Sequence, residues 1–308
     1  MLTIKEQEVL KDLCKKYFVS DLHIGDGSRT DDFIYKDIFM DFLDQIIAEE
    51  DSQLIIVGDF LELWQADLEK ILFYHSDLFA KLFRLAETDR VIYVYGNHDY
   101  LPFSRFKGSY FGNIKVLEQY IDQENGIWAL HGHQFNEFND IEQAKDRISG
   151  SIGQKIAEVV GFLERHLDED IDIELAKMIP FFRTLKAKVN MLKRIVRCFV
   201  DKVFFTKEDD FTKEVIRIQS QTIPQDKNYQ GAWAQYQQAV FSGLEEKGLK
   251  YGIIGHTHQE DLISDNGGKL YTNLGSWTNP NQDPYYALFE QGEMKLVNAK
   301  EEKISILV

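Results

Sequence analysis

Cysteines, long apolar runs and excess positive charge are all scarce in this sequence of 308 residues, and each absence excludes a class of protein. The two cysteines, Cys14 and Cys198, lie far apart and suggest no disulfide framework, which is typical of a reducing compartment. No charge-free apolar run reaches the ~20 residues that a membrane-spanning helix needs. We therefore expect a soluble, cytoplasmic protein.

The charge balance is strongly acidic. There are 51 acidic residues against 35 basic ones, which gives a formal net charge of -16. Because the phosphate backbone of nucleic acid favours basic surfaces, we expect no binding to duplex nucleic acid. Some of this acidity has to be discounted, since carboxylates that bind metal ions are neutralised by them. The sequence does not indicate an oligomeric state.

Strand-like and helix-like patterns alternate in the first part of the chain, from Tyr17 to about Glu137. The helix-like stretches include residues 33–50 and 68–88. His75 lies in the second of them, away from any motif, and is expected on the surface. An alternation of strands and helices favours a layered sheet with helices on its faces.

A change of pattern divides the chain into three segments. From about residue 140 to 247 the periodicity is helical, and strand-like runs return at Tyr251. We therefore predict an α/β fold, layered as α+β, with a helical insertion. Residues 1–139 form the first part of the core, 140–247 form a helical lid or cap, and 248–308 form the second part of the core.

Five short polar motifs are the most informative feature, because each follows a short apolar, strand-like run. Open α/β sheets bind their ligands where strands end and loops begin. Each motif alone is equally well explained as a polar turn after a strand, whereas the ordered set predicts a metal site. The motifs are Asp21-Leu22-His23, Gly58-Asp59, Gly96-Asn97-His98-Asp99, His131-Gly132-His133 and Gly255-His256-Thr257-His258.

The side chains of these motifs suit a pair of divalent ions. Asp59 follows a glycine at a strand end and is the natural bridge between two ions. Asp21 and His23 are two residues apart, so in an extended segment they point the same way and chelate one ion. His256 and His258 have the same spacing. The predicted ligands are Asp21, His23, Asp59, Asn97, His131, His256 and His258.

The remaining motif residues predict a hydrolytic role. His98 is left over from the ligand set and is predicted to donate a proton to the leaving group or to stabilise charge. Asp99 is predicted to orient the His98 imidazole and keep it protonated. Divalent ions acidify bound water, so we predict hydrolysis of a phosphoester by metal-activated hydroxide. Mixed oxygen and nitrogen ligands accept Mn²⁺, Fe²⁺ or Zn²⁺, and we expect two ions, with Mn²⁺ as the first choice.

The ordered motifs resemble those of the calcineurin-like metallophosphoesterases, whose pattern is D-x-H, G-D, G-N-H-D, H and G-H-x-H. The resemblance implies a β-sandwich flanked by helices, with Mn²⁺, Fe or Zn²⁺ at the site. It assigns to the first ion Asp21, His23, Asp59 and His258. It assigns to the second ion Asp59, Asn97, His131 and His256.

Three further features look like one branch of that family, the UDP-2,3-diacylglucosamine pyrophosphatases of lipid A synthesis. The sequence differs from this branch at two positions, with His98 in place of an arginine and His133 in place of an aspartate. The branch implies a nucleotide-linked lipid as substrate and an insertion that covers the acyl chains. The three features are the helical insertion and the runs Phe60-Leu61-Glu62-Leu63-Trp64 and Asn273-Leu274-Gly275-Ser276-Trp277.

Two alternatives to a lipid-cleaving enzyme follow from the same residues. One keeps the metal chemistry and changes the substrate to a nucleotide, a phosphoprotein or a DNA end. The other is a non-catalytic scaffold that uses the fold for protein binding, which predicts decay of the ligands, and none is missing.

Contacts with a substrate are predicted for three residues, Arg29, His133 and Trp277, although Arg29 and His133 are also typical of ordinary loops. From Phe181 to Phe204 an apolar stripe is flanked by basic residues. Such a stripe suits an anionic membrane surface, with the protein peripheral on the inner membrane face, or an acyl-lined groove. Ordinary packing of a core helix explains the stripe as well.

Overall fold

The structure is a computed structural model that describes residues 15–28, 31–63, 65–99, 110–135, 230–301 and 303–306. Three predictions lie outside these residues: the phosphate contact of Arg29, the basic stripe from Phe181 to Phe204, and all of the insertion before residue 230. In the described ranges, no helix has the length and apolarity to cross a bilayer.

The described residues form strands and helices in alternation, as the periodicity predicts. The helices are α1 (Lys36–Ala48), α2 (Leu68–Tyr74), α3 (Ser76–Ala86) and α4 (Gln230–Lys247). The strands are β1 (Lys15–Val19), β2 (Ser52–Val57), β3 (Val91–Val94), β4 (Tyr110–Phe111), β5 (Ile114–Leu117), β6 (Tyr120–Asp122), β7 (Ile127–Ala129), β8 (Tyr251–Ile254), β9 (Glu260–Ser264), β10 (Leu270–Leu274), β11 (Tyr285–Glu290), β12 (Glu293–Asn298) and β13 (Lys303–Ile306).

The strands form two sheets. The larger has eight strands in the order β13-β12-β11-β1-β2-β3-β5-β4, and the smaller has five in the order β6-β7-β8-β10-β9. Strands β1, β2, β3 and β5 pair in parallel, as do β7, β8 and β10. Since parallel strands end at the same edge of their sheet, the loops after β1, β2 and β3 share one edge and those after β7 and β8 share another.

Strand β1 shows why the core has layers. Successive side chains in a strand point to opposite faces. Tyr17 and Val19 therefore join a hydrophobic cluster with Phe39 of α1. Phe18 joins a second cluster, which includes Ile127 and Tyr251 of the smaller sheet. The larger sheet is thus covered by helices on one face and by the smaller sheet on the other. The predicted β-sandwich flanked by helices is confirmed.

The predicted helix at 68–88 is two helices, α2 and α3, with a break at His75. The expectation that His75 lies on the surface is wrong, because its side chain is only 2% exposed. Its ring packs against Phe33 with the ring centres 5.8 Å apart, and its Nε2 atom lies 3.5 Å from Asp31 Oδ2. At this break the imidazole of His75 faces the interior and lies beside the carboxylate of Asp31.

By the contacts within the chain, the molecule divides into two compact units. One consists of Met1–Asn136 and Gln235–Val308, and the other of Glu137–Ala234. All the predicted metal ligands belong to the first unit.

Candidate metal centre

The first two polar loops run side by side. Asp21 donates its backbone N–H to the carbonyl oxygen of Gly58 at 3.2 Å. His23 donates in the same way to Asp59 at 3.0 Å. Because β1 and β2 are parallel neighbours, their pairing continues past the strand ends and holds the two motifs in register. The carboxylates of both motifs are thereby placed together by the backbone.

Gly58 lets the fourth polar loop, which carries His131, approach closely. Its φ is +84°, a left-handed conformation that favours glycine. A Cβ atom at this position would lie 2.5 Å from the ring of His131. The glycine before Asp59 is therefore required both by the backbone turn and by the space that the His131 imidazole occupies.

The backbone at the predicted ligands is strained. Seven non-glycine residues in the described part of the chain have positive φ, and five of them are predicted metal ligands. A left-handed conformation costs an ordinary residue about 1–2 kcal/mol. Such strain persists only where the surrounding fold imposes it, and it clusters at functional sites. The five are Asp21, His23, Asp59, His256 and His258, and the other two are Asp89 and Gln291.

The first group of ligand atoms comes from two loops. Asp21 Oδ1 lies 3.2 Å from His258 Nε2 and 3.8 Å from His23 Nε2. The two imidazole Nε2 atoms are 3.2 Å apart. Asp21 and His23 are buried, whereas the side chain of His258 is 41% exposed. These three residues offer ligand atoms that all lie within 4.8 Å of one another, so one ion fits among them.

A second group of the same kind consists of Asp59, His131 and His256. Asp59 Oδ2 lies 2.9 Å from His131 Nε2 and 3.9 Å from His23 Nε2. This carboxylate therefore faces ligands of both groups. His131 uses its other ring nitrogen, Nδ1, to donate to the carbonyl oxygen of Val57 at 2.9 Å. Nε2 of His131 is thus the nitrogen directed at the site.

Asn97 provides a test of whether the site fits a metal ion. Its side-chain oxygen, Oδ1, is buried and has no hydrogen-bond partner among the described residues. A buried polar atom without a partner is unfavourable by about 1–3 kcal/mol, so native proteins retain it where a ligand satisfies it. Carboxylate, amide and imidazole donors together suit Mn²⁺, Fe²⁺ or Zn²⁺. The residues present fit a pair of divalent ions.

The pKa values of the ligand side chains also suit a site for cations. Burial alone would raise the pKa of Asp21 and of Asp59, but the imidazoles around them, His131 foremost, hold both below the usual range. Burial alone would lower the pKa of His131, but the charges of Asp59 and Asp21 raise it to about 9. Burial and the charge of His131 lower the pKa of His256 to about 3. A protonated imidazole thus balances carboxylate charge that a divalent cation would otherwise balance.

The prediction that Asp99 orients the His98 ring is wrong, because Asp99 has other hydrogen-bond partners. The Asp99 carboxylate is fully buried and bonds to other groups instead of the His98 ring. Oδ1 accepts from the Gly96 N–H at 2.5 Å, while Oδ2 accepts from the Phe60 N–H at 3.0 Å and from the Tyr93 hydroxyl. Burial and the charge of Asp59 raise the pKa of Asp99 to about 6. Asp99 therefore ties the second and third polar loops together.

Glu62 occupies the place that the sequence assigned to Asp99. Its Oε2 atom lies 2.6 Å from His98 Nδ1 and 2.9 Å from His23 Nδ1. Burial alone would raise the pKa of Glu62, but the charge of His98 and the hydrogen bond from His23 lower it to about 2. Sequence reasoning missed this residue. The available signal was a lone carboxylate three residues after Asp59, in the loop that follows β2.

Of the predicted substrate contacts, His133 lies beside the metal ligands. His133 is buried beside two ligands, with its ring centre 5.6 Å from that of His131 and 6.4 Å from that of His256. Its Nδ1 atom has no hydrogen-bond partner in the described residues. Burial, followed by the charges of His131 and His256, holds the pKa of His133 well below its usual value. His133 is therefore a neutral ring at the edge of the second ligand group.

Trp277 is not placed to contact a substrate, which corrects that prediction. Its side chain is 0% exposed and packs against Phe39, and its indole N–H donates to the Tyr285 carbonyl at 3.0 Å. Its backbone N–H donates to the carbonyl of Asp21 at 3.0 Å. An aromatic residue that follows a strand packs into the core here, and its backbone supports the first motif.

The chain is similar to one family and one curated relative. The model of a family described as calcineurin-like phosphoesterase matches residues 15–260. A UDP-2,3-diacylglucosamine hydrolase from Ralstonia nicotianae is 33% identical over 91 residues, which are 29% of this chain and 32% of that protein. The match thus spans about a third of the length of that relative.

The chain is also similar to solved structures, including one from Danio rerio and one from E. coli. A dimetal phosphatase from Danio rerio has a TM-score of 0.46 and 14% identity, with coverage of 93% of this chain and 96% of that chain. A phosphoesterase from E. coli has a TM-score of 0.42 and 13% identity, with coverage of 96% and 98%.

Proposed function

The chain belongs to the calcineurin-like phosphoesterase family, and from that premise we propose that it hydrolyses a phosphodiester or phosphoanhydride with two divalent ions. The observation that carries the proposal is the shared carboxylate of Asp59. One of its oxygens faces His131 of one ligand group at 2.9 Å and His23 of the other at 3.9 Å. A carboxylate between two sets of imidazoles is the arrangement that a bridged ion pair requires.

The ligand roles combine the two groups with the family's motif. A third group of close ligand atoms, His23, Asp59 and His98, shares a member with each of them, and we propose His98 as the proton donor instead of a ligand. We assign to the first ion Asp21, His23, Asp59 and His258, and to the second Asp59, Asn97, His131 and His256. When bound, two such ions polarise the non-bridging oxygens of the phosphoryl group and lower the pKa of water. Mn²⁺ is our first choice, with Fe²⁺ and Zn²⁺ as alternatives.

His98 is proposed as the proton donor to the leaving group. Its Nδ1 atom is held by Glu62 at 2.6 Å, and we propose Nε2 as the ring nitrogen that exchanges a proton with substrate. Burial alone would lower the pKa of His98, but the charges of Glu62 and Asp59 raise it. A raised pKa favours the protonated ring, as a general acid requires. His133, at the edge of the second ligand group, is proposed as a contact for the substrate.

For the substrate we propose a nucleotide-linked lipid such as UDP-2,3-diacylglucosamine. The support is the identity of 33% with a UDP-2,3-diacylglucosamine hydrolase over 91 residues. Two sequence runs outside the ligand set, after Asp59 and at residues 273–277, support the same branch. A non-lipid phosphoester, such as a nucleotide, is the alternative.

The first experiment compares two substrates. Mn²⁺-loaded protein is incubated with UDP-2,3-diacylglucosamine or with bis-p-nitrophenyl phosphate, and released UMP or nitrophenol is measured. Protein stripped with a chelator is the control and is expected to be inactive until Mn²⁺ is restored. UMP release supports the lipid substrate. Turnover of the chromogenic diester alone would retain the two-metal reaction and reject the lipid, and inactivity on both would reject the proposed function.

A further inference from the structure

One buried carboxylate oxygen serves two imidazoles of the site. Glu62 is only 1% exposed, and its Oε2 atom lies 2.9 Å from His23 Nδ1 and 2.6 Å from His98 Nδ1. The other oxygen, Oε1, accepts from the backbone N–H of Gln65 at 3.3 Å. The backbone N–H of Glu62 donates to the carbonyl of Ile24 at 3.0 Å. The carboxylate is therefore fixed by both of the loops that supply the first motifs.

An ionised carboxylate only accepts hydrogen bonds, so both rings must carry a proton on Nδ1. In a neutral imidazole this leaves the lone pair on Nε2. The Nε2 atom of His23 faces the ligand oxygens of Asp21 and Asp59 at 3.8 and 3.9 Å. The hydrogen bond to Glu62 thus places the lone pair of His23 where an ion in the first group needs it.

The same oxygen also sets the orientation of His98. The rings of His23 and His98 are 4.5 Å apart and almost perpendicular, with an angle of 88° between their planes. The His23 ring is buried and the His98 side chain is only 12% exposed, so neither can turn freely without breaking its bond to Oε2. A ligand of the metal centre and the proposed proton donor are consequently oriented by one atom.

We propose that Glu62 is a positioning residue that fixes the tautomer of the metal ligand His23, through the same oxygen that holds His98. This inference rests on the proposed function, since it assigns His23 to an ion and His98 to the leaving group. It predicts that a change at Glu62 alters metal affinity and turnover at once, although Glu62 touches neither the ion nor the substrate.

Glu62→Gln separates this role from ordinary packing. It keeps the shape of the side chain but replaces one of its two hydrogen-bond acceptors with an NH₂ donor. If the amide oxygen faces the rings, the NH₂ group opposes the N–H of Gln65. If the NH₂ group faces the rings, it donates where His23 and His98 also donate. A proton must then leave Nδ1 of His23 for Nε2, which removes the lone pair from the ion.

The expected result is a loss of Mn²⁺ affinity by about 10- to 100-fold, the range typical of groups that orient a metal ligand. Affinity is measured by titration calorimetry with MnCl₂ alone, and it requires no turnover. At saturating Mn²⁺, kcat on a diester whose leaving group needs a proton should also fall while KM stays unchanged, because His98 is misoriented, and kcat on bis-p-nitrophenyl phosphate should fall less. In Zn²⁺-loaded protein, nitrogen NMR shifts should show His23 with Nδ1–H and metal-bound Nε2 in the wild type only, whereas His131 keeps that form in both proteins.

Glu49→Gln is the matched control. Glu49 also accepts through its carboxylate, from the Tyr17 hydroxyl at 2.8 Å, but Tyr17 lies within β1, before the strand end that carries Asp21. This variant is expected to bind Mn²⁺ as the wild type does. If Glu62→Gln is too unstable to purify, Glu62→Asp serves instead. It keeps an acceptor but shortens the reach, so the positioning role predicts a folded protein with reduced Mn²⁺ affinity.

Two outcomes would overturn the inference. One is unchanged Mn²⁺ affinity and unchanged kcat in a folded Glu62 variant, with only the melting temperature lowered. The other is an equal loss of Mn²⁺ affinity in Glu49→Gln. If the wild type binds two Mn²⁺ ions but cleaves no diester, the proposed function fails, whereas the comparison of affinities still decides the role of Glu62 towards His23.

Discussion

Gly96 lies directly against the carboxylate of Asp59. A Cβ atom built on Gly96 would come within 2.1 Å of Asp59 Oδ1 and within 2.5 Å of the Asp59 backbone nitrogen. Oδ1 also accepts the backbone N–H of His98 at 2.8 Å. The loop after β3 therefore reaches the shared carboxylate with its backbone, and only a residue without a side chain leaves that carboxylate in place.

Gly96→Ala should disturb the metal centre without removing a ligand. The added methyl group must displace Asp59, whose backbone cannot give way, so we expect Mn²⁺ content to fall and activity to drop by at least about tenfold, as a misplacement near 1 Å does. Gly267→Ala is the control, since its nearest neighbour would be the flexible Asp265 carboxylate at 3.3 Å on an exposed turn. Metal content measured by mass spectrometry should separate the two, and equal values would contradict the steric argument.

Asp59→Ala tests the bridge itself. Removal of the shared carboxylate leaves two sets of imidazoles without the anion between them, so both ions should bind weakly. We expect turnover to be abolished and the metal content to fall below that of a variant that lacks a ligand of one ion, such as His258→Ala. Retained turnover, or loss of a single ion, would show that Asp59 does not bridge.

His98→Ala should separate chemistry from metal binding. We propose that His98 donates a proton, which typically contributes 10²–10⁴-fold to a rate, so kcat should fall by about that factor. Both ions should stay bound, because His98 is outside the proposed ligand set. A substrate whose leaving group needs no proton, such as a nitrophenyl ester, should be affected less. Loss of a metal ion in this variant would assign His98 as a ligand.

Asp31 predicts a dependence of stability on pH away from the metal centre. Its carboxylate accepts the backbone N–H groups of Gly25, Gly27 and Phe33 at 3.1, 2.7 and 3.0 Å. Burial alone would raise the pKa of Asp31, but the hydrogen bonds from His75 and from those backbone groups lower it below the ordinary 3.8. The stabilisation is therefore complete above pH 3.8 and is lost as the pH falls through the lower pKa of the folded state.

Asp31→Asn should lower the free energy of unfolding at pH 7 by about 1.5–3 kcal/mol, the range for hydrogen bonds to a charged group. The difference from the wild type should shrink once the pH falls below 3.8, because the unfolded state of the wild type then binds a proton that the folded state does not. Urea unfolding at pH 7, 5 and 3 measures it. Asp77→Asn, at a surface pair with Lys36, is the control and should change stability little at any pH. A difference that stays constant down to pH 3 would contradict the assignment.

The sequence predicted the architecture well because its signals are local. The buried strands read as short apolar runs, and each predicted ligand follows one of them. The alternation in β1, where Tyr17 and Val19 face helices and Phe18 faces the second sheet, explains why the run is apolar without a break. Strands such as β4, β6 and β9, at the sheet edges, carry weaker patterns and were not predicted.

The errors share a physical cause, which is that spacing along the chain does not determine side-chain partners. Asp99 is next to His98 in sequence, yet its carboxylate turns towards the backbone of Gly96 and Phe60. Glu62 is distant from His98 in sequence and bonds to it in the fold. Trp277 was assigned to substrate, whereas packing against Phe39 of α1 places its ring in the core.

The left-handed backbone at five predicted ligands has a consequence for laboratory evolution. Glycine adopts this conformation without the steric penalty of other residues. A library screened only for heat resistance in the presence of a chelator should therefore accumulate glycine at His23, Asp59 or His256. There a side chain imposes backbone strain and, without a metal ion, makes no bond to an ion in compensation. A screen for turnover should retain those residues. The two selections would favour different residues at the same positions of these loops. Stabilising substitutions for this protein are therefore better sought in the helices.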